Sequence, residues 1–429
     1  MAKDWFTPRG YRHLDRPLTP AFAENVQKPA FVARHSFAPL LRFEKVSKRY
    51  KPAEHQTVPK KRPIMFASHK DAAIYGYYAK AVSEALEQAY AAKGISANVL
   101  AYRKLGRGNA SFAAEAYDHA LAHAPCTILA FDVEDFFGSL NHGRLKTRLK
   151  GLLVTSELPP DWYQVFKSVT KYHFIERTDL KNDPVIGPRF RSRGSVPIAT
   201  VAEIKQRNIP IKGSATPLRG IPQGTPISSA FSNLYLFTFD QALAAYVDTF
   251  GGQYRRYSDD ILIICPTEKA DETVEIVRSL LSTEHLTLNE GKTERVRFDP
   301  QDASSRRRAA QYLGFTLHET GPGLRPSTLS RRARKLKGAI RRAQLQMEEL
   351  RASGNTDPIS TKKLRRQFTP SGPRNFSTYA RGAADNFGPQ SVIRRQVRRI
   401  ERRAQTAISN LKQQFPPPQP TMSPIPPAD

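Results

Sequence analysis

Cysteine is almost missing from this sequence: Cys126 and Cys265 are the only two, and each stands beside an apolar, strand-like run. Such a pair supports neither a disulfide framework nor a zinc site. Long apolar runs are missing as well. No stretch approaches the roughly 18 residues expected of a spanning helix, and the N-terminal MAKDWFTPRGYRHLD lacks the apolar core of a signal peptide. The chain therefore reads as cytoplasmic, with no membrane partner. Acidic residues are scarce: 39 Asp or Glu against 67 Lys or Arg leave a formal charge of +28 and a pI near 10.2. That imbalance points to a polyanion, and with membranes disfavoured the polyanion is nucleic acid. Gly106 and Gly108 lack the GxGxxG spacing, which excludes a dinucleotide fingerprint there. The 429 residues suffice for two or three packed subdomains.

What is present is a set of carboxylates in revealing places. Residues 253–265, QYRRYSDDILIIC, read as a β-hairpin: a strand entering through Tyr254, a polar tip at Ser258-Asp259-Asp260, and an apolar strand Ile261–Ile264 leaving it. Adjacent like charges raise one another's pKa unless a cation neutralises them. A divalent cation does so economically, and Mg²⁺ prefers a few carboxylates together with waters and substrate phosphates. An Asp-rich turn alone is ordinary, but a solvated turn does not need four aliphatics behind it. A third carboxylate occurs in residues 126–149, CTILAFDVEDFFGSLNHGRLKTRL. Thr127–Phe131 has a buried-strand pattern and Asp132 falls at its end, where desolvation without a partner would cost several kcal/mol. Glu134 and Asp135 face elsewhere on the turn, with Asp135 a candidate cap for the next helix. Phe137 is either a core aromatic or a plate under a bound sugar.

The remaining chain divides by composition. Residues 1–58 are rich in Pro, Phe and basic residues and read as an extension packed on the first lobe, with Tyr11, His13, His35, Phe37 and Phe43 structural rather than metal-binding. Residues 60–90 give a basic cluster, a short strand and a helix. Asp71 reads as a first-turn carboxylate, while Lys61, Arg62 and Lys70 suit a solvated face or a triphosphate clamp equally. Residues 99–123 read as a strand, a basic turn and a helix opening near Asn109, with Arg103, Lys104 and Arg107 either surface charges or phosphate contacts. Residues 176–218 look loop-rich, a candidate nucleic-acid-touching insertion. Pro222, Gly224 and Pro226 then enforce a rigid turn before a helix of small residues, where Gln223 offers an amide to a sugar or base edge. A helix over 270–282 leads to Lys292, either an exposed hairpin Lys or a group reaching pyrophosphate, and to Tyr312-Leu313-Gly314-Phe315, a short bent strand suited to gripping a primer. Residues 326–412 hold 21 Lys or Arg against 5 Asp or Glu. Helical periodicity places Leu336, Ile340 and Leu345 on one face, and Val392, Val397, Ile400 and Ile408 on another. Basic helices of this kind bind phosphate backbones with little sequence preference. The Pro-rich tail, residues 413–429, reads as disordered.

In this order and spacing, FDVEDFF (131–137), RGIPQGTPISS (219–229) and YSDD (257–260) resemble the palm motifs of reverse transcriptases. LNEGKT and YLGF follow where that family has later palm motifs, and the resemblance covers roughly residues 60–320. A finer similarity, to bacterial reverse transcriptases associated with antiphage defence, rests on GYRHLD, HSFAPLL, ASHKDAAIYGYYAK and VLAYRK. No maturase DNA-binding segment or zinc-finger endonuclease follows the basic helices, which argues against a mobile group II intron protein.

The resemblance implies an α+β right-hand polymerase: fingers (59–125), a palm (126–320) whose antiparallel sheet bears the YSDD hairpin, and a basic α-helical thumb (326–412). It implies that Asp132 and Asp259, with the Val133 backbone carbonyl, hold two Mg²⁺ ions, or Mn²⁺, supported by Asp260. Gln223 would contact the incoming nucleotide, with Gly224 and Tyr257 also substrate-binding. Lys292 would assist pyrophosphate departure, Arg62 and Lys70 would grip phosphates, and Phe137 would block a ribose 2′ hydroxyl and so favour dNTPs. The expected partners are an RNA template, structured and non-coding, and a DNA product. Two alternatives stand beside this reading: template-independent DNA synthesis, and a non-catalytic RNA-binding protein on a polymerase scaffold. Oligomeric state is left open.

Overall fold

The computed structural model describes residues 5–51, 55–192, 196–214, 216, 218–302, 309–355 and 357–416. The expected Pro-rich tail lies outside them from residue 417 onward. The described strands are, in chain order, β1 (Leu40–Lys51), β2 (Gln56–Phe66), β3 (Cys126–Asp132), β4 (His173–Glu176), β5 (Lys212–Gly213), β6 (Gln253–Tyr257), β7 (Asp260–Cys265), β8 (Glu294–Phe298), β9 (Ala310–Tyr312), β10 (Phe315–Leu317) and β11 (Gly323–Leu324). They form sheets of order β2-β1-β4-β5, β6-β7-β3-β8 and β11-β10-β9. Helices fill most of the rest, and among the described residues none is long and apolar enough to cross a membrane. Two compact units result: Met1–Arg103, Phe131–Ile261 and Asp271–Thr293 form the first; Lys104–Ala130, Leu262–Ala270 and Glu294–Asp429 form the second.

In the first unit β1 and β2 make a long antiparallel ribbon, paired from Leu41–Phe66 to Lys51–Gln56, and β1 pairs in parallel with β4. The basic stretch that lacks sequence periodicity is thus partly a 12-residue strand. The helix His69–Ala92 that follows β2 is anchored by the N-terminal segment. Asp15 accepts the His69 and Lys70 amides, both at 2.9 Å, and Ser68 accepts the Asp71 amide at 3.2 Å. Carboxylate and hydroxyl oxygens thereby meet the free N–H groups and positive end of the helix dipole. Asp71 is buried in that first turn, bound to the His35 Nε2 at 2.7 Å and the Ala38 amide at 3.0 Å. His35 is therefore structural, as the sequence indicates.

The stretch from 176 to 218 departs from its loop-rich reading. Ile186, Ile198, Ala199, Ile204 and Ile209 pack with Leu41, Ile175 and Leu180 into a core of their own. Its basic residues are partly committed internally, with Arg189 on Glu203 and Arg207 on Asp183, each at 2.7 Å. Isolated isoleucines scattered among Pro, Gly and Arg carry no regular period, so the sequence hides this core.

In the second unit β3 pairs antiparallel with β8, and β9, β10 and β11 form a meander. Leu313 and Gly314 take positive φ, 47° and 95°, so YLGF is the turn of the β9–β10 hairpin rather than a single bent strand. Helices Pro326–Ala352, Lys362–Phe368, Phe376–Phe387 and Ile393–Gln414 follow. Leu336, Ala339, Met347, Leu364, Phe368, Ile408 and Leu411 form the shared core of the first, second and fourth of these, whereas Ala380, Ala383, Ala384 and Phe387 of the third pack with Tyr117, Phe298 and Phe315. Leu345, expected in the stripe, is instead 54% exposed. Nine residues past Leu336 at 3.6 per turn place it half a turn away, whereas Met347 falls back in line.

His13 supplies a pH test of the first unit. It is fully buried, its Nδ1 accepts the Leu14 amide at 2.8 Å and its Nε2 lies 3.1 Å from the Phe66 carbonyl, which fixes a neutral tautomer. Burial pushes its pKa down from 6.5 to about 4 against the opposing Phe66 carbonyl and Asp15 charge. A lowered histidine pKa means that the unfolded chain takes up the proton first. Stability is therefore intact above pH 6.5 and declines as pH falls toward 4, by on the order of 3 kcal/mol in the limit. Urea unfolding at pH 7 and 4.5 should show a smaller acid loss in His13→Asn than in wild type.

Candidate active site

Strand β3 is buried from Cys126 to Leu129 and emerges at Asp132, whose side chain is 18% exposed. The backbone around Asp132 is tied on two sides. Its carbonyl accepts the Asn289 amide at 2.8 Å, and the Glu134 amide reaches the Thr287 carbonyl at 2.8 Å. Between them the Val133 amide donates to the Asp259 carbonyl at 3.3 Å. None of these three bonds uses the Val133 carbonyl. The 3₁₀ turn Glu290–Lys292 then delivers the Lys292 ammonium onto Oδ2 of Asp132. Asp132, Asp259 and Lys292 are thus brought together by backbone bonds across three remote segments.

The YSDD hairpin turns at Ser258 and Asp259, and Asp260 is already the first residue of β7, one position earlier than the sequence suggests. Asp259 is half-buried and Asp260 exposed, whereas Ile261–Ile264 are buried. Ser258 adopts φ 63°, a left-handed conformation uncommon for a residue other than glycine. Two side chains outside the recognised motifs hold it. Arg256, fully buried, donates from Nε and Nη2 to both oxygens of the fully buried Asp240 at 2.7 and 2.6 Å. Its Nη1 lies 3.2 Å from both Asn233 Oδ1 and the Ser258 carbonyl. Burial alone would depress the Arg256 pKa; the Asp240 charge and its bonds raise it instead. Tyr254, also donating to Asp240 at 2.6 Å, is pushed well up, first by burial and then by that carboxylate. Tyr102 approaches the other side: its hydroxyl is 3.0 Å from Ser258 Oγ, its φ is 63°, and half of the residue stays exposed. Burial of the hydroxyl raises the Tyr102 pKa, with Asp259 adding to the effect. In the sequence Arg256 is one of two adjacent arginines between Tyr254 and Tyr257, and nothing local distinguishes the buried one from Arg255.

The 219–229 turn is fastened to the same region. Its Gly220 and Ile221 amides donate to the Leu140 and Phe137 carbonyls, each at 2.8 Å. Phe137 itself is half-buried on the short helix Phe136–Ser139, its ring edge-on to Phe136. Asp135 occupies the N-cap position of that helix at φ 38° but makes no side-chain cap bond, contrary to expectation. The Gln223 carbonyl accepts the Met65 amide at 2.9 Å. At Gly224, with φ 118°, a Cβ would stand 2.6 Å from the Met65 carbonyl, so β2 occupies the space the glycine leaves. Ser228 bonds the Pro222 carbonyl at 2.6 Å and so stiffens the turn.

The basic candidates separate by partner. Arg62 and Lys70 are exposed on β2 and on the first turn of helix His69–Ala92, and no described bond joins either to the three carboxylates. Lys61 pairs with Glu44 at 3.1 Å. Arg103 is not a phosphate contact: its guanidinium is 5% exposed, paired with Glu87 and donating to the Ser96 and Val99 carbonyls. The expected strand at 99–103 reduces to a single parallel bridge, Val99 to Arg256.

Among the described residues no three His, Cys, Asp or Glu side chains converge tightly enough to hold a metal by themselves. The site nevertheless fits a hard divalent cation. Asp132 and Asp259 are oxygen donors partly open to solvent, and Lys292 already places a cation on Asp132. Mg²⁺ takes one or two carboxylates and completes its shell with waters and phosphates rather than a closed protein cage.

A strand ending in one aspartate beside a hairpin with a second in its turn and a third opening the next strand is the arrangement of a polymerase palm within an α+β fold. Residues 58–317 match the family described as reverse transcriptase (RNA-dependent DNA polymerase), and the chain belongs to that family. No curated protein sequence is significantly similar to it. Among solved structures it is similar to a telomerase from Candida albicans in complex with a fragment of telomeric RNA, with 14% identity over 92% of this chain and 58% of that one, and a TM-score of 0.44. It is also similar to apo telomerase from Candida tropicalis, with 13% identity over 89% of this chain and 60% of that one, and a TM-score of 0.42. The chain thus spans less than two thirds of the length of either.

Removing one partner of a fully buried ion pair strands the other, at a cost of about 3–5 kcal/mol. Arg256→Met should lose that much in urea unfolding, and Arg256→Met/Asp240→Leu should lose less because neither charge is left alone. A double variant as unstable as the single one would show that the pair is not what holds the hairpin.

Proposed function

We propose that this protein is an RNA-directed DNA polymerase that extends a 3′ hydroxyl with dNTPs. The observation that carries the reading is the seam at Val133, where the Asp132 strand end and the Asp259 turn are joined by a backbone bond at 3.3 Å with Lys292 on Asp132. In this reading Asp132, Asp259 and the Val133 carbonyl hold two Mg²⁺ ions, with Mn²⁺ a substitute and Asp260 in support. The ions would lower the pKa of the 3′ hydroxyl and offset charge on the triphosphate and leaving pyrophosphate. The protein's own groups position the reactants. The hydroxyl gives its proton to solvent water, its oxygen bonds to the α-phosphorus as the bond to pyrophosphate breaks, and Lys292 moves from Asp132 to the departing phosphates. Gln223 and Tyr257 contact the incoming nucleotide, Gly224 seats the Gln223 turn against β2, Arg62 and Lys70 steer the triphosphate, and Phe137 excludes a 2′ hydroxyl.

The finer reading is a cytoplasmic, antiphage-defence enzyme copying a structured non-coding RNA. Its support is the set of N-terminal motifs named above and the basic helices of residues 326–412.

Three outcomes test these roles. Asp259→Ala removes an effect worth several kcal/mol, so primer extension should fall by about three orders of magnitude. Loss of a steric contact shifts selectivity by about 10- to 200-fold, so Phe137→Ala should admit ribonucleotides by that factor; unchanged dNTP preference would remove the role from Phe137. Sequencing nucleic acid bound to wild type and to Asp259→Ala/Asp260→Ala should give one dominant RNA in both and complementary DNA only in wild type. Repetitive DNA without a matching RNA would instead indicate untemplated synthesis, and a random cellular RNA sample would reject a dedicated template.

A further inference from the structure

The GYRHLD motif, residues 10–15, has no part in the chemistry above, yet its side chains converge on one short junction of the first unit. Strand β2 ends at Phe66 and the next helix begins at His69. The Tyr11 hydroxyl donates to the Ala67 carbonyl at 2.8 Å, while its ring lies edge-on to Phe66 at 5.0 Å and stacks on His69 at 5.1 Å. His13 Nε2 lies 3.1 Å from the Phe66 carbonyl, and Asp15 accepts the His69 and Lys70 amides. Three alternate residues of this strap thus hold Phe66, Ala67, His69 and Lys70.

What adjoins the junction gives the strap its consequence. Met65, one residue before it, carries the Gln223 turn: its amide donates to the Gln223 carbonyl at 2.9 Å and its carbonyl fills the space beside Gly224. Lys70 closes the junction's other end. Strand β2 is an edge strand with β1 as its strand neighbour, and a strand bonded on one side opens more readily than a central one unless it is tethered. The strap is that tether, and it is fixed in turn. Arg12 donates to the Ser192 and Val196 carbonyls at 2.9 and 3.0 Å, and the Ile198 amide, from the isoleucine core of 186–209, donates to the His13 carbonyl at 2.9 Å.

We infer that Tyr11, His13 and Asp15 are positioning residues for the incoming nucleotide, acting through the 66–70 junction on Gln223 and Lys70. The role rests on the polymerase reading for its substrate, whereas the coupling rests on the bonds alone. Among the described residues none of the three bonds to Asp132, Asp259 or Lys292. Loosening the strap therefore weakens nucleotide binding and leaves the chemical step in place, which raises KM and not kcat.

The test uses the full chain with Tyr11→Phe/Asp15→Asn, which keeps the ring contacts and the shape of Asp15 while removing the hydroxyl bond and the carboxylate. In primer extension on a fixed RNA template, KM for dNTP should rise by about 5- to 20-fold with kcat within about twofold. A fall in kcat at unchanged KM would report only a smaller folded fraction and overturn the positioning role. Introduced into Lys70→Gln/Gln223→Ala, the same strap substitutions should raise KM by less than about twofold, because the groups they position are gone. A full second loss there would overturn the route through Gln223 and Lys70. Hydrogen exchange reads the coupling without activity: the peptide covering 219–229 should lose protection by about 10-fold in the strap variant while the β3 peptide, residues 126–132, keeps its own. Equal loss in both peptides, or none in 219–229, would overturn the coupling. A wild type that extends no primer would sink the polymerase reading in the first assay, whereas the strap is decided by exchange.

Discussion

The ion pair between Arg256 and Asp240 is the interaction on which the candidate site rests. Both side chains are fully buried, and the pair meets through two parallel bonds of 2.7 and 2.6 Å. A guanidinium in such surroundings survives only when its donors are matched, because an uncompensated buried charge is among the costliest groups a core can hold. Here Asp240, Asn233 and the Ser258 carbonyl supply the acceptors. The last of these matters most, since the same guanidinium that neutralises a core carboxylate also grips the left-handed residue beside Asp259. Charge burial in the core and geometry at the tip are one arrangement.

The layers around it follow the same logic of matched backbone. The Gly220 and Ile221 amides fasten the 219–229 turn to the segment after Asp132, and the Met65 amide fastens it to β2. Gly224 gives β2 room for that approach. The 219–229 turn is thus positioned by main-chain bonds, which side-chain substitution does not remove.

What could be read from the sequence was whatever has a short period or a local motif. The apolar run before Asp132, the run after Asp260 and the turn at Pro222–Pro226 each declare themselves within a dozen residues, and β3, β7 and the helix Ser228–Tyr235 stand where they indicate. The helices Pro326–Ala352 and Ile393–Gln414 were equally legible, apart from Leu345, where a stripe was extended without counting its rotation, whereas Lys362–Phe368 and Phe376–Phe387 were not read. The missed features are contacts between distant segments. Arg103 looks like a surface cation until Glu87 is found beside it. The isoleucines of 186–209 look like loop residues until Leu41 and Ile175 are found beneath them. Asp240 and Asn233 carry no local signal, because their role is defined by a residue that follows them by 16 and 23 positions.

The separation between Asp132 and Lys292 bears on how the site is made. The two are 160 residues apart, and the intervening chain includes the hairpin whose Asp259 carbonyl holds Val133. Closing loops of that size costs entropy before any contact compensates it, which places such pairings late in folding. Asp240 likewise emerges during synthesis before the arginine that neutralises it. A nascent chain ending short of residue 292 therefore has the aspartates without Lys292, and the cluster is complete only once that last segment has joined.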